Sequence, residues 1–114
     1  MKIVTEKISL DELKEMSTKM FGFLVKAVVD IEKEIMVVNA GMHADEEQLL
    51  LENDSQQENL WGINFYPERF PEQNWVVFDS MINLRPSWGN RTRGVDNPQI
   101  QEKIRAVVKK LVTI

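Results

Sequence analysis

In Leu60-Trp61-Gly62-Ile63-Asn64-Phe65-Tyr66 large apolar residues alternate with small or polar ones from Trp61 onward. A period of two is that of a β-strand, so Trp61, Ile63 and Phe65 share one face and Gly62, Asn64 and Tyr66 the other. Residues 67–74 (Pro-Glu-Arg-Phe-Pro-Glu-Gln-Asn) carry two prolines, which disfavour both helix and ladder, and read as a loop. From Trp75 to Leu84 the alternation resumes. Val76, Phe78, Ile82 and Leu84 form the apolar face, interrupted by Ser80, while Trp75, Val77, Asp79, Met81, Asn83 and Arg85 point the other way. Pairing 60–66 with 75–85 as a hairpin merges the apolar faces into one core surface. Asn64, Tyr66, Asp79, Asn83 and Arg85 then share the opposite side.

Upstream lies a second hairpin. Val25, Ala27, Val29 and Ile31 recur at period two within 24–32, Glu32-Lys33-Glu34 is the turn, and Ile35 to Ala40 is the return strand. Ser9-Leu10-Asp11-Glu12 is a capping box that opens a helix through Leu10, Leu13, Met16 and Met20, with Gly22 at its end. Asp45 with Gln48 forms an N-cap pair for a short helix through Leu49, Leu50 and Leu51. Ser55-Gln56-Gln57-Glu58 repeats the box spacing and marks a single turn before Leu60. Asn97-Pro98 starts a closing amphipathic helix through Ile100, Ile104, Val107 and Leu111. The order α-β-β-α-β-β-α favours a single α+β domain over residues 1–114: a mainly antiparallel four-stranded sheet with helices packed on one face.

The chain of 114 residues, 43% hydrophobic and 28% charged, is of ordinary globular composition and large enough for a core. No apolar run approaches the roughly 20 residues that span a bilayer. The amino terminus lacks a signal-peptide apolar region. With no cysteine there is neither a disulfide framework nor a thiolate site, and a cytoplasmic location is expected. Charge is uneven. Residues 1–60 hold thirteen acids against six lysines, whereas all five arginines (Arg69, Arg85, Arg91, Arg93 and Arg105) lie beyond residue 60. The net charge of −4 argues against strong non-specific nucleic-acid binding.

The segment 78–93 concentrates the chemistry, because it carries Arg85, Arg91 and Arg93 with no acid between Asp79 and Asp96. Arginine presents a rigid fork suited to carboxylate and phosphate. In the functional reading these three bind an anion, Asn64, Asn83 and Asn90 orient it, and Tyr66 or Trp88 stacks on a planar group. The plainer alternative is a solvated sheet face, which antiparallel sheets allow. His43 is the one histidine and a candidate general acid or base. Without a second ligand it makes a poor metal site, and neither metal nor cofactor is expected. Asp45-Glu46-Glu47 reads as a first-turn charge set complementing the helix dipole. No nucleophile elbow surrounds Ser80, and P-loop and dinucleotide fingerprints are absent.

Val25–Glu32, His43-Ala44-Asp45, Leu60–Pro67, Phe78–Pro86 and Gly89-Asn90-Arg91 together resemble a family of small uncharacterised prokaryotic proteins catalogued only as a domain of unknown function. The resemblance spans nearly the whole chain and implies a free-standing single-domain protein, with no activity to transfer. Near residue 54 the family's turn carries a glycine where this chain has Asn53-Asp54. Two functional hypotheses compete. One is a binding or interaction module that uses the polar strand face and loop 85–93 for an anionic ligand or protein partner. The alternative is a metal-independent, ribonuclease-like hydrolase of the toxin kind, using His43, Tyr66 and Arg85. Trp75, Val77 and Met81 would form an apolar patch suited to a homo-oligomer interface.

Overall fold

The computed structural model describes residues 1–114. Along the chain run β1 (Lys2–Val4), β2 (Ile8–Ser9), α1 (Leu10–Met20), β3 (Val25–Asp30), β4 (Ile35–Val38), α2 (His43–Glu52), β5 (Leu60–Phe65), β6 (Val76–Val77), α3 (Pro98–Leu111) and β7 (Val112–Thr113). The main sheet has the order β1-β4-β3-β5-β6, every neighbouring pair antiparallel. A separate parallel pair, β2 with β7, ties the end of the chain to the entry of α1. The chain is thus an α+β protein with three helices, as its element order predicts.

The sheet has five strands rather than four, because Lys2–Val4 adds to the free edge of β4 in the register Lys2↔Val38. Three residues are too few for an alternation to be visible in the sequence. The helices cover both faces, not one. Val25, Ala27 and Val29 of β3 point into the larger core with Leu13 of α1 and Ile104 and Leu111 of α3. Val28 and Val37 face the other way, into a smaller core with Leu50 of α2 and Leu60. Both faces of β3 and β4 are apolar, so both must be covered.

Local signals explain the ends of the elements. Ser9 Oγ accepts from the Glu12 backbone N–H at 3.1 Å. The Glu12 carboxylate pairs with Lys2 instead of returning to Ser9. α2 starts two residues before the expected Asp45, at His43, and Met42 in the cap position supplies no side-chain bond. Asn97 caps α3 through Gln99 N–H at 2.8 Å, with Pro98 in its first turn. The β3–β4 turn is organised by a buried acid that the pattern does not reveal. Asp30 Oδ1 accepts from the N–H groups of Glu32 and Lys33, and Oδ2 from the Ser55 hydroxyl at 2.7 Å. Asp54 holds φ +72°, a left-handed conformation that glycine adopts without strain.

The largest departure is the second strand of the downstream hairpin. Only Val76 and Val77 pair with β5, opposite Phe65 and Asn64. Beyond them the chain leaves the ladder and makes tight 3₁₀ turns at Met81–Asn83 and Pro86–Trp88. The expected apolar face is therefore divided: Phe78 packs on the larger core, Ile82 on the smaller one, and Leu84 is exposed. Nor does the expected self-association patch form. Trp75 is buried and stacked 4.9 Å from Phe65, leaving Met81 exposed without it.

Candidate functional site

Past residue 77, side chains replace a strand along the edge of β5. Asn83, fully buried, accepts from Gly62 N–H at 2.8 Å and donates to Gly62 O at 2.9 Å and to Arg93 O at 3.0 Å. Its amide thus stands where a neighbouring strand's peptide group would be. Asn64 donates to Asp79 O at 3.3 Å, and Arg85 donates to the carbonyls of Leu60 and Gln57. Asn90 holds the loop that follows, donating to the carbonyls of Asn83, Thr92 and Gly94 and accepting from Asp96 N–H. The close approach requires glycine at 62, since a Cβ there would lie 2.5 Å from Ser80 Cβ. Gly62→Ala is expected to cost about 1–3 kcal/mol by overpacking, read as a lower midpoint in urea unfolding.

Arg85 and Asn90 exchange backbone hydrogen bonds and close a loop that presents Trp88, with Gly89 at φ +88° completing the turn. Trp88 is 56% exposed, the degree of exposure that a stacking role needs. The Arg85 guanidinium lies 4.4 Å from the Trp61 ring centroid and 5.5 Å from that of Trp88. These three side chains, with Glu58, Asn97 and Ile100, line an opening of about 450 Å³. Burial draws the Arg85 pKa below its usual value and the Glu47 charge opposes the shift; the group remains cationic. No carboxylate lies within 4 Å of it. Arg85 Nε and Trp61 Nε1 are closed to solvent and have no hydrogen-bond partner.

Of the seven ligand-binding residues expected from the sequence, Arg85 and Asn90 line this opening, and the Asn90 amide is already committed to backbone. Asn64 and Asn83 are buried in the edge of β5. Tyr66 lies at the far end of the strand, stacked on Phe23 and under Arg69, whose Cζ is 3.9 Å from its ring centroid. Arg93 pairs with Asp79 at 2.9 Å, whereas Arg91 is exposed and its side chain makes neither an ion pair nor a hydrogen bond. His43 is buried on α2, where Nε2–H donates to Ile63 O at 2.8 Å, and its burial lowers the ring's pKa.

Two contributors went unrecognised in the sequence. Trp61 follows the core-face alternation, and nothing in that pattern distinguishes a pocket wall from a packed ring. Glu46 is fully buried rather than part of a solvated first turn. Its Oε2 accepts from Ala40 N–H at 3.1 Å, Oε1 has no partner, and burial pushes its pKa up to about 9. The available signal was helical spacing, because Glu46 stands three residues after His43 and four before Leu50 on the inward stripe.

No helix is long and apolar enough to cross a membrane. No group of three or more metal-ligating side chains converges. Comparison with curated proteins and with solved structures finds no match to this chain. The sequence matches, over residues 2–111, the family described as Protein of unknown function (DUF5674), and the chain belongs to that family.

Proposed function

We propose that the protein is a small binding module whose Trp61–Arg85–Trp88 opening takes a planar, anionic ligand, free or displayed by a protein partner. The observation that carries this reading is the Arg85 guanidinium set between Trp61 and the exposed Trp88 ring in the wall of one opening. The cation has no carboxylate in contact, which favours a ligand that brings one. The exposed Trp88 ring offers a face on which a flat group can stack.

The catalytic alternative draws less support from the geometry. Arg85 bonds to Leu60 O, whereas Tyr66 stands six residues further along β5 and its extension, roughly 20 Å of strand. His43 Nε2 is already given to a backbone carbonyl. A cytoplasmic location belongs with the binding reading, since a chain without cysteine suits a reducing compartment.

Calorimetric titration with benzoate and nicotinate, against benzamide as the uncharged control, tests the proposal. The acids are expected to bind and benzamide to bind at least tenfold more weakly. Trp88→Ala should weaken the acids about tenfold while moving stability by less than about 0.5 kcal/mol, because the ring is largely exposed. Equal affinity of Trp88→Ala and the parent chain would remove the stacking face from the reading. No heat from either acid at millimolar concentration would remove the ligand class.

A further inference from the structure

A second cavity, of about 400 Å³, lies between the 70–76 segment and the end of α3 with β7. It shares no wall residue with the Trp61–Arg85–Trp88 opening. Phe70, Trp75, Val76, Val108, Val112 and Ile114 make its apolar wall, and its charged side chains are both cations, Arg105 and Lys109. We propose that this cavity binds a medium-chain carboxylate, with the hydrocarbon tail among the apolar side chains and the acid group at Arg105 and Lys109.

Shape is the first argument. Trp75 is buried and held on two sides, stacked on Phe65 at 4.9 Å and edge-on to Phe70 at 5.2 Å, so the wall is preformed. β7 fixes Val112 opposite Ile8 on the other side. The apolar surface is recessed: among the wall residues, Ile114 is the one exposed large hydrophobic. A flat protein interface would show its apolar groups outward, whereas a cavity that hides them suits the tail of a small molecule.

Charge is the second argument. Lys109 Nζ makes no hydrogen bond or ion pair, although its place in the last turn of α3 also complements the helix dipole. Arg105 donates to Gln73 O at 3.2 Å and lies over Phe78, and no carboxylate lies within 4 Å of either cation. With no acidic side chain in the wall, the cavity favours an anionic head over a cationic one. The aliphatic stems of both side chains continue the apolar surface toward the mouth, so tail and head sites are contiguous.

The test is an NMR titration of the full chain with sodium octanoate, and with 1-octanol as the uncharged tail. Octanoate is expected to shift the Trp75 indole and the amides of Val108 and Val112 with one-to-one stoichiometry. The double variant Arg105→Gln with Lys109→Gln should lose about tenfold in octanoate affinity and keep its affinity for 1-octanol. Lys109 is exposed and Arg105 half-buried, and the variant's unshifted core amides would show that it folds. Absence of shifts at these residues up to millimolar octanoate overturns the proposal. Equal octanoate affinity in parent and variant also overturns it. So do concentration-dependent shifts at the same residues without ligand, which would assign the cavity to contact between copies of the chain.

Discussion

Asn83→Ala is expected to destabilise the protein by about 3–5 kcal/mol, a large part of the stability of a domain this size. The amide is fully buried and makes three hydrogen bonds, to Gly62 N–H, Gly62 O and Arg93 O. Truncation leaves Gly62 N–H and Gly62 O without a partner in a space shaped for an amide, and leaves Arg93 O with the Ser80 N–H alone; each unsatisfied group costs about 1–3 kcal/mol. Asn83→Asp is the sharper control. It keeps the acceptor for Gly62 N–H but sets a carboxylate oxygen against two carbonyls, so it should be at least as damaging. Urea unfolding measures both variants, and hydrogen exchange should show protection lost first along 79–94. A loss below about 1 kcal/mol for Asn83→Ala would mean that water replaces the amide and that the edge of β5 is not held as described.

Glu46 makes stability fall as pH rises, and Glu46→Gln is expected to abolish most of that fall. The carboxyl's pKa is pushed by burial from 4.5 up to about 9, so the folded chain keeps its proton where the unfolded chain releases it. A raised folded value means that the stabilising contribution is complete below pH 4.5 and is lost as pH climbs toward 9, at up to about 1.4 kcal/mol per pH unit. His43 acts in the opposite sense. Burial lowers its pKa from 6.5, so its contribution is present above that pH and is lost in acid. The window from pH 7 to 9 therefore isolates Glu46. Thermal melts across it should show a declining midpoint for the parent chain and a nearly level one for Glu46→Gln, with the variant the more stable at pH 8.5. Parallel curves would show that Glu46 is ionised in the folded chain.

Much of the architecture was legible because it rests on local and periodic features. The alternations in 25–31 and 60–66, the Ser9 cap and the Asn97-Pro98 start each depend on residues a few positions apart. What misled was the stretch 75–85. Its apolar spacing is that of a strand, yet Asn83 and Arg85 bond more to the backbone of β5 through side chains than their own backbone does as a ladder. A side chain that substitutes for a peptide group leaves no periodic trace. The same limit hid Asp30 and Glu46, which charge alone places in solvent. The anion-binding reading of Asn64, Asn83 and Asn90 met this obstacle too. Asparagine carries a donor and an acceptor like the peptide itself, so it serves a backbone edge as readily as a ligand.

The α+β class, the helices, the β3–β4 hairpin and the family can be read from the residues alone, because hydrophobic period and capping chemistry act over short distances along the chain. Tertiary structure alone decided which polar groups face solvent. Close approach at Gly62 brings Ser80 and Asn83 onto β5, and the returning loop lays Arg85 between Trp61 and Trp88. The contacts of Gly62 with Asn83 and of Trp61 with Arg85 join residues more than twenty positions apart, and their free energy depends on burial and hydrogen-bond geometry that no local pattern encodes.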